Sequence, residues 1–94
     1  GMLGQYDQAT AVGLQARDAL LAAGDAVAAG RVEQNLGTIA LRRDRYAEAE
    51  QLHRAAGARF EAAGALELLV AAENALAADL FHQLRLREAD THYR

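Results

Sequence analysis

The residues of this chain that could perform chemistry are its three histidines. Two of them follow a carboxylate at the spacing of neighbours on one face of a helix. Asp79 and His82 are three residues apart, and Glu88 and His92 are four apart, so each pair would share one face of a helix. Together with His53, such pairs could bind a metal ion or transfer a proton. The same spacing is common on solvated helix faces, and no His-Glu-x-x-His motif is present. We therefore predict no metal ligands.

Other catalytic patterns are missing from the sequence. It contains no glycine-rich phosphate loop and no nucleophile elbow, and no pair of acids falls in a definable pocket. Cysteine is absent, which removes thiolate nucleophiles, thiolate metal sites and disulfides. We predict a protein that is not an enzyme, with no catalytic residues and no cofactor.

Arginines form a second group of chemical interest, and they cluster at two places about forty residues apart. The members are Arg42, Arg43, Arg45, Arg85 and Arg87. If the two places lie side by side, they form a basic ridge for a partner; the alternative is that they stabilise helix C-termini and pair with nearby acids. The formal net charge of −3 argues against a nucleic-acid partner.

The composition indicates a small helical domain. The chain has 94 residues, a hydrophobic fraction of 52% that rests mainly on alanine, and no proline or tryptophan. All ten basic residues are arginine, which suggests a GC-rich bacterial genome. No stretch has the length and apolarity of a membrane span or a leader peptide, so we expect a soluble cytoplasmic protein without a membrane partner.

Glycines and apolar spacing divide the chain into helices. The stretches "AAGD" (22–25) and "AAGA" (62–65) each place a glycine where a helix would end in a left-handed cap. Between them, apolar residues recur every three or four positions, as amphipathic helices require. In the segment after residue 65, this pattern is carried by Val70, Ala72, Leu76 and Leu80. The sequence predicts five helices, with turns near residues 24, 44, 64 and 84.

The helices repeat with a period of forty residues and without gaps. Aromatic, glycine, acidic and leucine positions coincide as well as alanines, so alanine bias alone does not explain the match. The equivalent residues include Tyr6, Tyr46 and Leu86; Ala9, Ala49 and Ala89; Ala16 and Ala56; Leu20 and Phe60; Gly24 and Gly64; Glu33 and Glu73; and Leu36 and Leu76. Such periods are typical of stacked helical repeats, which usually serve recognition.

The stretch "NLGTIALRRDRYAEAEQLHRA" (35–55) resembles the tetratricopeptide repeat family in its longer variant of about forty residues. The resemblance implies an all-α fold, a right-handed superhelical stack of antiparallel helix pairs (an α-solenoid). Residues 1–94 would form one domain, with a partial unit (1–24), a full unit (25–64) and a partial unit (65–94). In such a unit Leu36-Gly37 permits close helix packing, Ala49 and Ala56 face the first helix, and Phe60 closes the far end.

In this family the first helices of the units line a concave groove that binds a peptide or a partner protein. The residues that would line it here are Arg31, Gln34, Thr38, Leu41, Arg42, Asn74, Phe81 and His82. For Leu41 and Phe81 the alternative is packing between units.

Two functions follow as expectations. The first is a protein–protein interaction module, a scaffold or regulatory segment that binds its partner in this groove. The second is a self-assembly element of a larger bacterial signalling or transcription-regulatory protein. Because the terminal helices lack neighbours in the stack, we expect a homodimer. The apolar residues left without partners are Val12, Leu20, Leu86 and Tyr93.

Overall fold

The computed structural model describes the backbone of residues 2–93 and the side chains of residues 4–89. Within this range the fold is all-α and contains four helices and no strand: α1 (Met2–Ala22), α2 (Ala26–Arg42), α3 (Tyr46–Ala63) and α4 (Leu66–Tyr93). Helices that are adjacent in the chain pack on one another, and the contact between α2 and α3 is the most extensive. The Cα atoms span 50 × 34 × 14 Å, so the helices lie in a flat arrangement and α4 is at its edge.

Three predicted turns are confirmed, and each depends on a residue in the left-handed region of φ. Gly24 has φ = 81° and Gly64 has φ = 69°, which glycine adopts without steric cost. Asp44 has φ = 61° in the turn between α2 and α3, a conformation that aspartate tolerates better than most residues. Asp25 then caps α2 by accepting a 3.0 Å hydrogen bond from the backbone N–H of Ala28.

The fourth predicted turn, near residue 84, is wrong. α4 runs without interruption for 28 residues from Leu66 to Tyr93, so the chain has four helices where five were predicted. The position equivalent to Asp44 is Leu84, which enters the left-handed region poorly. The surrounding residues 83–88, Gln-Leu-Arg-Leu-Arg-Glu, are good helix formers, and the helix therefore continues.

The centre of the molecule is the contact between α2 and α3. A Cβ added to Gly37 would lie 2.6 Å from the His53 ring, and one added to Gly30 would lie 2.7 Å from the Phe60 ring. Since the earlier glycine meets the later ring, the two helices are antiparallel. Glycine is required at both places because any side chain would separate the helices. The expectation that Leu36-Gly37 permits close packing is thus confirmed.

Small residues complete this contact. Ala49 and Ala56 have no exposed surface, and Phe60 is 1% exposed, as the sequence predicts for the face of α3 that meets α2. Ala56, Phe60 and Ala72 form a continuous apolar cluster that joins α3 to α4. The α2–α3 hairpin is therefore the closely packed part of the molecule.

Candidate functional site

The predicted groove residues of α2 differ in accessibility. Arg31 and Arg42 are exposed, whereas Gln34, Thr38 and Leu41 are half-buried. The Thr38 hydroxyl donates a 3.1 Å hydrogen bond to the Gln34 backbone carbonyl. The Gln34 side-chain carbonyl oxygen is buried and has no hydrogen-bond partner among the described residues. Of these five predicted groove residues, only the two arginines are exposed.

The predicted groove residues of α4 meet an aromatic neighbour from α3. The ring of His82 stacks on Tyr46, with centroids 5.1 Å apart and planes 8° apart. Phe81, which is 54% exposed, meets the His82 ring edge-on at 5.9 Å. The Arg85 guanidinium lies 5.8 Å from the Phe81 centroid. We call these four residues the aromatic patch. Asn74 is exposed and lies about two helical turns before Phe81 on α4.

The arginine cluster is brought together only in part. Arg45 lies over the Tyr6 ring at 4.5 Å and is 3.8 Å from Glu48. Arg45 and Arg87 both line an open cleft of about 560 Å³ between the α2–α3 turn and α4. Arg85 instead contacts Phe81. A cationic edge thus exists at this cleft, but acidic neighbours on α1 and α3 partly neutralise it.

Tyr6 fixes α1 to this edge. Its hydroxyl donates a 3.1 Å hydrogen bond to a Glu48 carboxylate oxygen. Burial of the phenol raises the pKa of Tyr6, and the neighbouring Glu48 charge raises it further. The hydroxyl therefore stays protonated over the ordinary pH range and acts as a donor.

An ion cluster centred on one buried carboxylate connects the first three helices. Glu33 on α2 has no exposed surface, and Arg59 on α3 donates to its two carboxylate oxygens from Nε at 2.5 Å and from Nη2 at 3.2 Å. Arg17 on α1 donates to the same carboxylate at 3.4 Å. The hydrogen bond to Glu33 raises the pKa of Arg59. Sequence reasoning missed this cluster, although Glu33 lies four residues after Ala29 and three before Leu36, on the buried face of its helix.

A second buried polar pair connects α3 to α4. His53 Nδ1 and Asp79 Oδ2 are hydrogen-bonded, and both side chains are completely buried. Asp79 therefore bonds to His53 on the neighbouring helix and not to His82, the partner that its spacing suggested. His53 Nε2 faces Gly37 and has no hydrogen-bond partner among the described residues. With no solvent access, this pair links two helices and cannot reach a substrate.

The second pair that the spacing suggested, Glu88 with His92, is not tested because the His92 side chain lies outside the described residues. Among the described side chains, no three of the types His, Cys, Asp and Glu are grouped as a metal ion would require. None of the described helices has the length and apolarity needed to cross a membrane.

The predicted self-association residues are scattered. Val12 on α1 is 64% exposed and Leu86 on α4 is 56% exposed, whereas Leu20 is half-buried. The Tyr93 side chain lies outside the described residues. Because α4 is continuous, Leu86 lies within it and not at the start of a fifth helix.

α4 is apolar on two sides, which the sequence pattern did not reveal. The prediction placed Val70, Ala72, Leu76 and Leu80 on one face. In the structure Ala72 is buried and Leu76 half-buried toward α3, but Val70 is 55% and Leu80 42% exposed. Of the eight large apolar side chains that are exposed in the described part of the chain, six lie on α4. This helix therefore has an apolar surface that the other three helices do not cover.

No family model, curated protein or solved structure matches this chain. Assignment to a repeat family therefore rests on the residues of the chain itself.

Proposed function

We propose that this chain is a tetratricopeptide-like interaction module that binds a peptide or protein segment, as a scaffold or regulatory part of a bacterial cytoplasmic protein. In this proposal the helix pairs belong to a right-handed superhelical stack, and the partner lies along α2 and α4. The forty-residue repeat and the glycine-mediated contact between α2 and α3 support this architecture.

The observation that carries the binding proposal is the aromatic patch. It presents a half-exposed phenylalanine, a stacked His–Tyr pair and an arginine on one surface. Phenylalanine, tyrosine and arginine are the residue types enriched at protein interfaces, where a few such anchors supply most of the affinity. The exposed Arg42, Asn74 and Arg31 would add polar contacts elsewhere along α2 and α4.

The proposal assigns no catalytic role to the chain. The one histidine–carboxylate pair among the described side chains, His53 with Asp79, is sealed inside the helix contact. A general acid or base must come within hydrogen-bond distance of its substrate, and this pair does not meet that condition.

Selection from a random peptide library on the immobilised chain tests the binding proposal. Peptides that bind the unmodified protein should bind a Phe81→Ala variant about tenfold or more weakly, as expected for an interface anchor. Val12→Ala is the control, because Val12 is even more exposed but lies on α1. Enrichment of no peptide, or equal binding to the Phe81→Ala variant, would contradict the proposal.

A second candidate function is self-assembly, as a dimerisation element of a larger signalling or transcription-regulatory protein. The specific observation in its favour is the uncovered apolar surface of α4. A surface of this kind on a protein is a common mark of an interface.

A further inference from the structure

Four of the six large apolar residues that are exposed on α4 follow a coiled-coil spacing. The positions Leu66, Val70, Glu73, Ala77, Leu80 and Leu84 are separated by four, three, four, three and four residues. We call this set the α4 seam. Leu66 is 69%, Val70 55%, Leu80 42% and Leu84 54% exposed, so the seam is on the surface. It is distinct from the side that packs on α3, which contains Leu69, Ala72, Leu76 and Asp79.

This spacing indicates that the missing partner is a helix. Alternating steps of three and four residues keep one side of a helix in contact with a second helix along its length. From Leu66 to Leu84 the seam is about 27 Å long, which is five turns of helix. The small Ala77 near its middle allows the two axes to approach closely.

We propose that the α4 seam binds the α4 seam of a second copy of this chain, with the two helices antiparallel. This deepens the self-assembly candidate and does not depend on peptide binding at the aromatic patch. The proposal differs from the contact expected through Val12, Leu20 and Leu86, because it uses the opposite side of α4.

The charges on and beside the seam favour a second copy in the antiparallel orientation. A parallel pair would bring Glu73 against its own equivalent in the other copy, and like charges at such positions destabilise helix pairs. In an antiparallel pair with Glu73 level with Ala77 of the other copy, Leu66 is level with Leu84 and Val70 with Leu80. Each apolar seam residue then meets an apolar residue, and Glu73 meets a small one.

The same register pairs two charges that have no ion-pair partner among the described residues, Glu67 and Arg85. Both flank the seam on the same side, and Glu67 of one copy lies within one helical turn of Arg85 of the other. The two-fold axis creates this pair twice. A helix of unrelated sequence would not supply these matches.

The affinity should be modest because a single pair of five-turn helices is smaller than a standard protein interface. We expect a dissociation constant of about 1 to 100 µM. Sedimentation equilibrium over about 1 to 200 µM of the full chain should therefore show the mass rise from one chain to two.

Two substitutions on the same helix localise the contact. Leu84 and Leu86 are 54% and 56% exposed, but only Leu84 belongs to the seam. Leu84→Glu should weaken the dimer at least about tenfold by placing a charge against Leu66 and Glu67 of the other copy, whereas Leu86→Glu should leave it unchanged. A monomer at all concentrations, or loss of the dimer through Leu86→Glu alone, would overturn the proposal.

Cross-linking tests the orientation. The chain has no cysteine, so a single introduced thiol is unique. In the antiparallel pair the two copies of position 77 are offset by about 6 Å along the axis and those of position 66 by about 27 Å. A short bismaleimide should link Ala77→Cys chains and not Leu66→Cys chains; linking of both would show a parallel pair, and linking of neither would exclude the seam.

Charge exchange gives an independent readout that does not alter the apolar seam. Glu67→Arg should weaken the dimer about threefold to tenfold, and Arg85→Glu added to it should restore the original affinity. Equal affinity for all three proteins would contradict the proposed register. The peptide selection can fail while the dimer forms, or succeed while the chain stays monomeric, so failures of the two proposals are distinguishable.

Discussion

In the sequence repeat, α4 is equivalent to α2 and the first part of α3, but the α2–α3 hairpin and α4 are stabilised in different ways. In the hairpin, glycine and alanine allow two helices to touch, and buried polar groups are bonded across the contact. α4 has one face packed on α3, a second apolar face in contact with solvent, and no turn where the repeat predicts one. A forty-residue period can therefore preserve helix positions while the packing around them changes.

The largest difference in stability between the two regions should come from substituting the glutamate that occupies the same repeat position in each. Glu33→Ala removes the buried carboxylate that neutralises Arg17 and Arg59, and breaking such a cluster should lower the free energy of unfolding by about 2–4 kcal/mol. In the monomer, at the lowest protein concentration, Glu73→Ala at the same repeat position on the exposed side of α4 should change it by less than about 0.5 kcal/mol. Urea denaturation measures both; equal effects would place Glu33 in solvent.

Overpacking substitutions should destabilise the protein more in the hairpin than in α1, with a smaller difference than for the two glutamates. Ala49→Leu and Ala56→Leu force bulk into completely buried positions and should each cost about 1–3 kcal/mol of stability. The matched controls are Ala9→Leu and Ala16→Leu, at equivalent but exposed positions of α1, where we expect changes below about 0.5 kcal/mol. Thermal unfolding of the four variants is the measurement, and unchanged melting of the two α3 variants would refute the contact with α2.

A glycine at the position of the missing turn tests whether α4 continues through residue 84. Leu84→Gly should lower helix content by circular dichroism and destabilise the chain by up to about 1 kcal/mol, because glycine is unfavourable inside a helix. If the chain instead turned at Leu84, glycine would ease a left-handed conformation there and would stabilise the fold. An increase in stability would therefore support the predicted turn and a fifth helix.

The smallest expected effect is a pH dependence at the contact between α3 and α4. Hydrogen bonds from Gln83 at 2.8 Å and Arg54 at 2.9 Å lower the pKa of Glu50 below its ordinary value of 4.5. Since the folded-state pKa is lowered, this stabilisation is present above pH 4.5 and is lost as the pH falls through the folded-state value. Glu50→Gln should weaken the pH dependence of stability below pH 4.5; an unchanged profile would assign it to other carboxylates.

Much of the fold could be predicted because local chemistry and tertiary structure agree in the first two-thirds of the chain. Gly24, Asp44 and Gly64 mark the turns, and Ala49, Ala56 and Phe60 mark a buried face at helical spacing. At Leu84 the repeat predicts a turn but the residue favours a helix, and the local preference prevails.

The polar interior was harder to predict because it depends on contacts between helices. The Asp79–His82 spacing suggested a pair, but the bond forms between Asp79 and His53, which are 26 residues apart. Arg17 and Arg59 likewise reach Glu33 from different helices. Where a helix has apolar residues on two sides, as α4 has, periodicity does not show which side packs internally.

The central claim is that the α2–α3 hairpin is fully packed within one chain, whereas the α4 seam is covered only by a second copy. Hydrogen exchange of the full chain at two concentrations tests this claim most directly. Between about 1 and 200 µM, amides of residues 66–84 should become more protected, because the dimer suppresses local opening of α4. Amides of α2 and α3 should exchange slowly and equally at both concentrations. Protection of residues 66–84 that does not change with concentration would contradict the account, as would faster exchange in the hairpin than in α4.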